Sequence, residues 1–122
     1  MCDAHLRFIM FSVCAPGKTG DAVAITLTDI QTFLDLLKSG LYVVGDAAYK
    51  LSDKVLVPFT GSQRDDPSKD AFNYYLSQLR IRIEMAFGLL QNKWRIILLP
   101  LPYLLCKSTQ ILHTAARLHN YV

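Results

Sequence analysis

Apolar runs alternate with short polar breaks along this chain, and the spacing inside each run predicts its element. Leu6 to Cys14 (LRFIMFSVC) is rich in β-formers and ends at Ala15-Pro16-Gly17, a strong turn signal. Asp21 to Leu27 fits either a helical turn or a short strand. Thr28-Asp29 offers an N-cap for a helix over Ile30 to Lys38, where Ile30, Phe33, Leu34 and Leu37 share a face. Ser39-Gly40 stops that helix. Leu41 to Val44 is a short β-rich run followed by Gly45-Asp46, and Leu51 to Phe59 holds a second apolar piece, VLVPF. Residues 60–70 form a polar loop. A long helix is expected from about Phe72 to Ile97, broken by Leu98-Pro-Leu-Pro. Ser108 or Thr109 caps a last helix running through His119, with Ile111, Leu112, Ala115, Ala116 and Leu118 as its packed face. The order strand, strand, helix, strand, long helix, helix predicts an α/β layer fold.

At about 100° per residue, Phe72, Leu76, Leu79, Ile83, Phe87, Leu90 and Trp94 form one stripe of the long helix, its expected core face. Glu84, the only glutamate in the chain, lies at the edge of that stripe. Asn73, Ser77, Arg80, Gly88, Gln91 and Arg95 share its side. Gly88 weakens a helix by about 1 kcal/mol relative to Ala, which makes sense where another backbone or a substrate approaches the carboxylate. The plainer alternative is a surface pair between Arg80 and Glu84, worth about 0.3–0.5 kcal/mol. Asp46 closes the Leu41–Val44 run. A carboxylate at the carboxyl end of a strand sits where ligands gather in open α/β sheets, though a turn or cap aspartate would look the same. Asp3 precedes Leu6–Cys14 in a turn-like sequence.

Composition narrows the picture. The chain has 122 residues, 52% hydrophobic and 19% charged, which suits one globular domain with one core and excludes a disordered chain. A net charge of +3 is compatible with nucleic acid without requiring it. Cys2, Cys14 and Cys106 show no C-x-x-C spacing. They point to reduced thiols in an intracellular compartment rather than to a zinc site or disulfides. No secretory leader is evident. Ile96 to Leu105 is too short and too proline-broken to span a bilayer, so no membrane association is expected. Ser12-Val13-Cys14-Ala15-Pro16-Gly17-Lys18-Thr19 nearly fits a phosphate-binding loop. However, Ser12 replaces the first glycine, Pro16 removes an amide donor, and no clear helix starts at Lys18. His113 and His119 do not share a helix face, so His119 is expected to pack or hydrogen-bond at the helix end.

Several segments, taken in order, carry a more specific signal. They are Cys2-Asp3-Ala4-His5-Leu6-Arg7-Phe8, Ala15-Pro16-Gly17-Lys18-Thr19-Gly20-Asp21-Ala22 and Val44-Gly45-Asp46-Ala47-Ala48-Tyr49. Pro58-Phe59, Phe72-Asn73, Leu76-Ser77, Arg80-Ile81-Arg82-Ile83-Glu84, Ala86-Phe87-Gly88, Lys93-Trp94-Arg95 and Leu118-His119-Asn120 follow. As an ordered set spanning nearly the whole chain, they resemble the DDE nuclease domain of Harbinger-type transposases.

That resemblance implies an RNase H-like α/β fold, a mixed sheet flanked by helices. It implies Asp3, Asp46 and Glu84 as a triad holding two divalent ions, Mg²⁺ or Mn²⁺, with Asp46 bridging them. Asp21 matches another common family aspartate outside the metal ligands. The implied activity is DNA strand cleavage by phosphoryl transfer, in the nucleus. DNA is the implied partner, alongside a separate DNA-binding protein. Arg80, Lys93 and Arg95 are candidate phosphate contacts, ahead of Arg82. Such transposases carry more chain before the first aspartate. The expectation is therefore a single nuclease-like domain, residues 1–122, read as a fragment lacking the upstream part of the first strand and any helix-turn-helix. The competing reading is a catalytically inert remnant that binds DNA or protein at most.

Overall fold

The computed structural model describes residues 1–13 and 30–121. Two compact units are present, one formed by residues 14–80 and the other by residues 1–13 with 81–122. The near-match to a phosphate-binding loop, the Asp21–Leu27 segment and the Thr28-Asp29 cap lie mainly or wholly outside the described residues. No described helix is long and apolar enough to cross a membrane.

The 14–80 unit holds the sheet. Helix α1 (Ile30–Leu36) buries Leu34 and is shorter than the expected Ile30–Lys38. Gly40 adopts φ +84°, and Leu41 N–H donates to the Lys38 carbonyl at 3.1 Å, closing the turn the sequence predicts there. The Lys54 ammonium donates to the Leu37 carbonyl at 2.8 Å and reaches that of Lys38 at 3.3 Å. A cation there satisfies carbonyls that the helix end leaves open.

Strands β1 (Val43–Val44) and β2 (Val55–Leu56) pair in parallel, with Val43 opposite Val55 and Val44 opposite Leu56. The pairing extends through Gly45 N–H to the Leu56 carbonyl at 2.8 Å. The segment from Leu51 to Phe59 is thus strand only at its centre. A turn of 3-10 helix (Gly61–Asp65) follows, and then α2 (Pro67–Lys93).

α2 begins earlier than the expected Phe72 for a local reason. The Asp66 carboxylate accepts the Ser68 N–H at 2.9 Å, the Asp66 carbonyl accepts those of Lys69 and Asp70 at 3.0 Å, and Pro67 takes the first helical position, where no amide donor is needed. α2 also ends earlier than Ile97, at Lys93, and gives way to a second 3-10 turn (Arg95–Leu98).

The other unit packs the carboxyl half of α2 with α3 (Leu105–His119) and the amino-terminal segment. Its core is Phe8, Ala86, Leu90, Ala115 and Ala116, with Cys2, Leu6, Phe11, Ile83, Trp94 and Ile97 packed around it. The predicted stripe of α2 is corrected here. Ala86 is 0% exposed, whereas Leu79 and Phe87, expected inside, are 55% and 42% exposed. α3 starts at Leu105 rather than at a Ser108 or Thr109 cap. Ser108 lies inside its first turns and donates to the Tyr103 carbonyl at 3.3 Å.

The expected strand over Leu6–Cys14 is absent among the described residues. A single antiparallel bridge joins Cys2 and Phe8, and Leu6 takes φ +64°. Side chains replace the missing ladder. Asn120 accepts the Phe8 N–H at 2.7 Å and donates to the Phe8 carbonyl at 2.9 Å. The buried His119 ring bonds the Leu6 carbonyl through Nε2 at 2.9 Å and packs on Phe8. Asn73 repeats the device in the other unit, holding Phe59 N–H at 2.8 Å and its carbonyl at 3.0 Å.

Candidate active site

Asp46 sits just past the carboxyl end of β1, where the sequence places it. Its position is set locally. Oδ1 accepts the Ala48 N–H at 2.8 Å, and the Asp46 carbonyl accepts the Tyr49 N–H at 3.2 Å. The Tyr49 side chain lies over Gly45 so closely that a Cβ there would meet its ring atoms at 3.1 Å. The Gly-Asp-Ala-Ala-Tyr sequence is therefore one turn in which glycine admits the tyrosine and the aspartate closes the loop. Oδ2 remains outside this turn, with the Arg80 guanidinium at 4.0 Å. Arg80 thus pairs with Asp46, not with Glu84 as the plainer reading of α2 has it.

Asp3 is engaged by its own loop. Oδ1 accepts the N–H groups of His5 at 2.9 Å and Arg7 at 3.0 Å. Oδ2 accepts Arg7 Nε at 2.8 Å and the Arg7 terminal nitrogen at 2.7 Å. The i,i+4 spacing of Asp3 and Arg7 is the sequence signal for this pair. The Arg7 backbone amide above all, with the Arg7 guanidinium and the His5 amide, holds the carboxyl below the usual aspartate range against the opposing effect of desolvation.

A depressed carboxylate stabilises its loop above its unfolded pKa, and that contribution is lost as pH falls through the lower folded value. The amide shifts of His5 and Arg7 are therefore expected to titrate together with a midpoint below that of an ordinary aspartate. Asp3→Asn should remove that transition from an NMR titration. A midpoint at or above the ordinary value would show that the loop does not hold the charge.

Glu84 is exposed on α2, in the same unit as Asp3, while Asp46 belongs to the other. Beyond the adjacent backbone of its own helix, Gly88, one turn further along α2, has no atom of a described residue within 4 Å of where a Cβ would stand. The close approach inferred for it is not made by a described part of the chain. Gly88→Ala should stabilise the protein by about 0.5–1 kcal/mol in thermal denaturation. A loss of stability would mean that the chain itself fills this space. Of the basic candidates, Lys93 is the last residue of α2 and Arg95 opens the 3-10 turn after it, both exposed; Arg82 is also exposed.

Carboxylate oxygens such as those of Asp3, Asp46 and Glu84 are hard donors of the kind Mg²⁺ and Mn²⁺ prefer. Asp46 has one oxygen outside its turn, and Glu84 faces solvent, so both fit a cation ligand. Asp3 fits only after releasing Arg7. Among the described residues, no group of three His, Cys, Asp or Glu side chains is arranged to hold a metal ion. Cys2 and Cys106 are free thiols.

The described residues thus combine an aspartate just past a short parallel strand with a long helix that bears Glu84. Residues 1–120 match the DDE superfamily endonucleases, and the chain belongs to that family. Neither a curated protein nor a solved structure matches the chain.

Proposed function

We propose that this chain is a DDE nuclease domain of the Harbinger transposase kind, built on an RNase H-like plan and acting on DNA in the nucleus. Asp3, Asp46 and Glu84 are its carboxylate triad, and Arg80, Lys93 and Arg95 contact DNA phosphates. The observation that carries this reading is Asp46 at the carboxyl end of β1, in a chain that matches its family over residues 1–120. Two Mg²⁺ or Mn²⁺ ions at the triad would activate the attacking water or 3′-hydroxyl and stabilise the leaving oxygen. The chain's own contribution is positioning. The Gly45–Tyr49 turn fixes Asp46, and α2 carries Glu84 on a rigid element.

The hold of the Arg7 guanidinium on one oxygen of Asp3, with the other oxygen taken by backbone amides, favours a second reading, an inert relative that retains nucleic-acid or protein binding alone. The two separate in one assay. Nicking of supercoiled DNA that requires Mg²⁺ or Mn²⁺ and stops with EDTA supports the nuclease. A folded protein with no nicking and no metal-induced rise in Tm supports the inert relative.

A further inference from the structure

The 14–80 unit contains an open groove of about 330 Å³ beside the Asp46 turn. It is lined by Pro58, Phe59, Thr60, Arg64, Leu76 and Arg80, among others. Its apolar part is well braced. Leu76 is buried, Phe59 packs edge-on against Phe72 with ring centroids 5.4 Å apart, and Asn73 holds the Phe59 backbone by both its polar groups. The Lys69 ammonium stands 5.6 Å from the centre of the Phe59 ring, bringing a third cation to the same wall.

The two arginines have capacity to spare. Arg64 meets Asp70 only at 3.9 Å and Arg80 meets Asp46 only at 4.0 Å, the outer edge of an ion pair. Neither guanidinium hydrogen-bonds to another described residue. Exposed pairs of this length are worth about 0–1 kcal/mol, whereas arginine donates to phosphate oxygens through two parallel N–H groups. The Thr60 hydroxyl, with no partner among the described residues, adds a neutral donor. Apolar lining, a braced aromatic residue and unsaturated guanidinium groups are the parts a nucleic-acid strand requires: a surface for sugar or base, and donors for the backbone.

We propose that this groove seats a DNA strand through its phosphodiester backbone, with Arg64 and Arg80 taking phosphate oxygens and a nucleoside lying against Pro58 and Phe59. The proposal rests on the nuclease reading for the choice of DNA. It extends that reading by giving the strand a place beside Asp46 and by assigning Arg64, which the sequence pattern does not single out. Seating the strand requires no bound metal. Asp46, Asp66 and Asp70 temper the positive potential here, so binding is expected to be modest and to weaken with salt.

The test is fluorescence anisotropy of a labelled single-stranded oligodeoxythymidylate with the full chain in EDTA. Arg64 has a 63% exposed side chain, so Arg64→Gln removes its charge without disturbing packing. That variant should bind about three- to tenfold more weakly, with a salt slope lower by about one phosphate contact. Arg80→Gln should weaken binding similarly. Lys107→Gln, in a separate groove on α3 beside Tyr103, should bind as wild type. Unchanged affinity in Arg64→Gln, an equal loss in Lys107→Gln, or no binding by the wild type would each overturn the proposal. Because metal is absent, failure to bind is distinguishable from failure of the triad to cleave.

Discussion

Asp46→Asn is expected to reduce Mg²⁺- or Mn²⁺-dependent DNA nicking by at least about 100-fold while leaving the fold intact. Asparagine retains the Oδ1 acceptor that takes the Ala48 amide at 2.8 Å, so the turn after β1 should persist. What it loses is the anionic character of the second oxygen, the one outside the turn. Neutral amide in place of carboxylate removes charge where a hard cation needs it, and such losses cost several kcal/mol of transition-state stabilisation. The pair with Arg80 spans 4.0 Å between partly exposed groups, so its loss should change stability by less than about 1 kcal/mol. Glu84→Gln should give the same kinetic result with even less effect on folding, since Glu84 is exposed. Parallel plasmid-nicking rates and urea denaturation curves decide the matter. Nicking at wild-type rates in either variant would remove that residue from the site.

Leu90→Ala should destabilise the unit formed by residues 1–13 and 81–122 by about 2–5 kcal/mol, read as a lower urea midpoint. Leu90 is 2% exposed and is the largest side chain so completely enclosed among the described residues. Three of its four companions in the buried cluster are Ala86, Ala115 and Ala116. Alanines have no side-chain length with which to collapse into a vacated volume, so the upper part of the range is expected. For a domain whose whole stability is about 5–15 kcal/mol, that is a large share. Leu79→Ala on the same helix, at a position 55% exposed, should cost no more than about 0.5 kcal/mol. Comparable losses at the two positions would contradict the burial pattern of α2.

These contrasts show where the sequence is legible. The aspartate after β1 and the packing role of His119 follow from local chemistry, and the structure agrees with both, whereas the first helix ends at Leu36, short of the Ser39-Gly40 stop. The stripe of α2 does not follow, because a periodicity of large apolar residues gives little weight to alanine. Here Ala86 is wholly buried while Phe87, one position on, is half exposed. The Leu6–Cys14 run reads as strand because its residues favour extended backbone. That preference does not reveal that Asn120 and His119, more than a hundred positions away, supply the backbone partners a neighbouring strand would provide. The Asp46–Arg80 pair and the groove with Arg64 escape sequence reading for the same reason. Nothing in local spacing brings residues 46, 64 and 80 together.

The two asparagines that each hold one phenylalanine backbone, Asn73 on Phe59 and Asn120 on Phe8, make both ends of that residue's peptide chemistry depend on a single distant amide. Phe59 and Phe8 lie in different units. Their backbone amides belong to no helix or strand, so the time they spend sealed from solvent is governed by whether the clasp is shut. Hydrogen–deuterium exchange at these two amides therefore times the opening of each clasp, one in each unit.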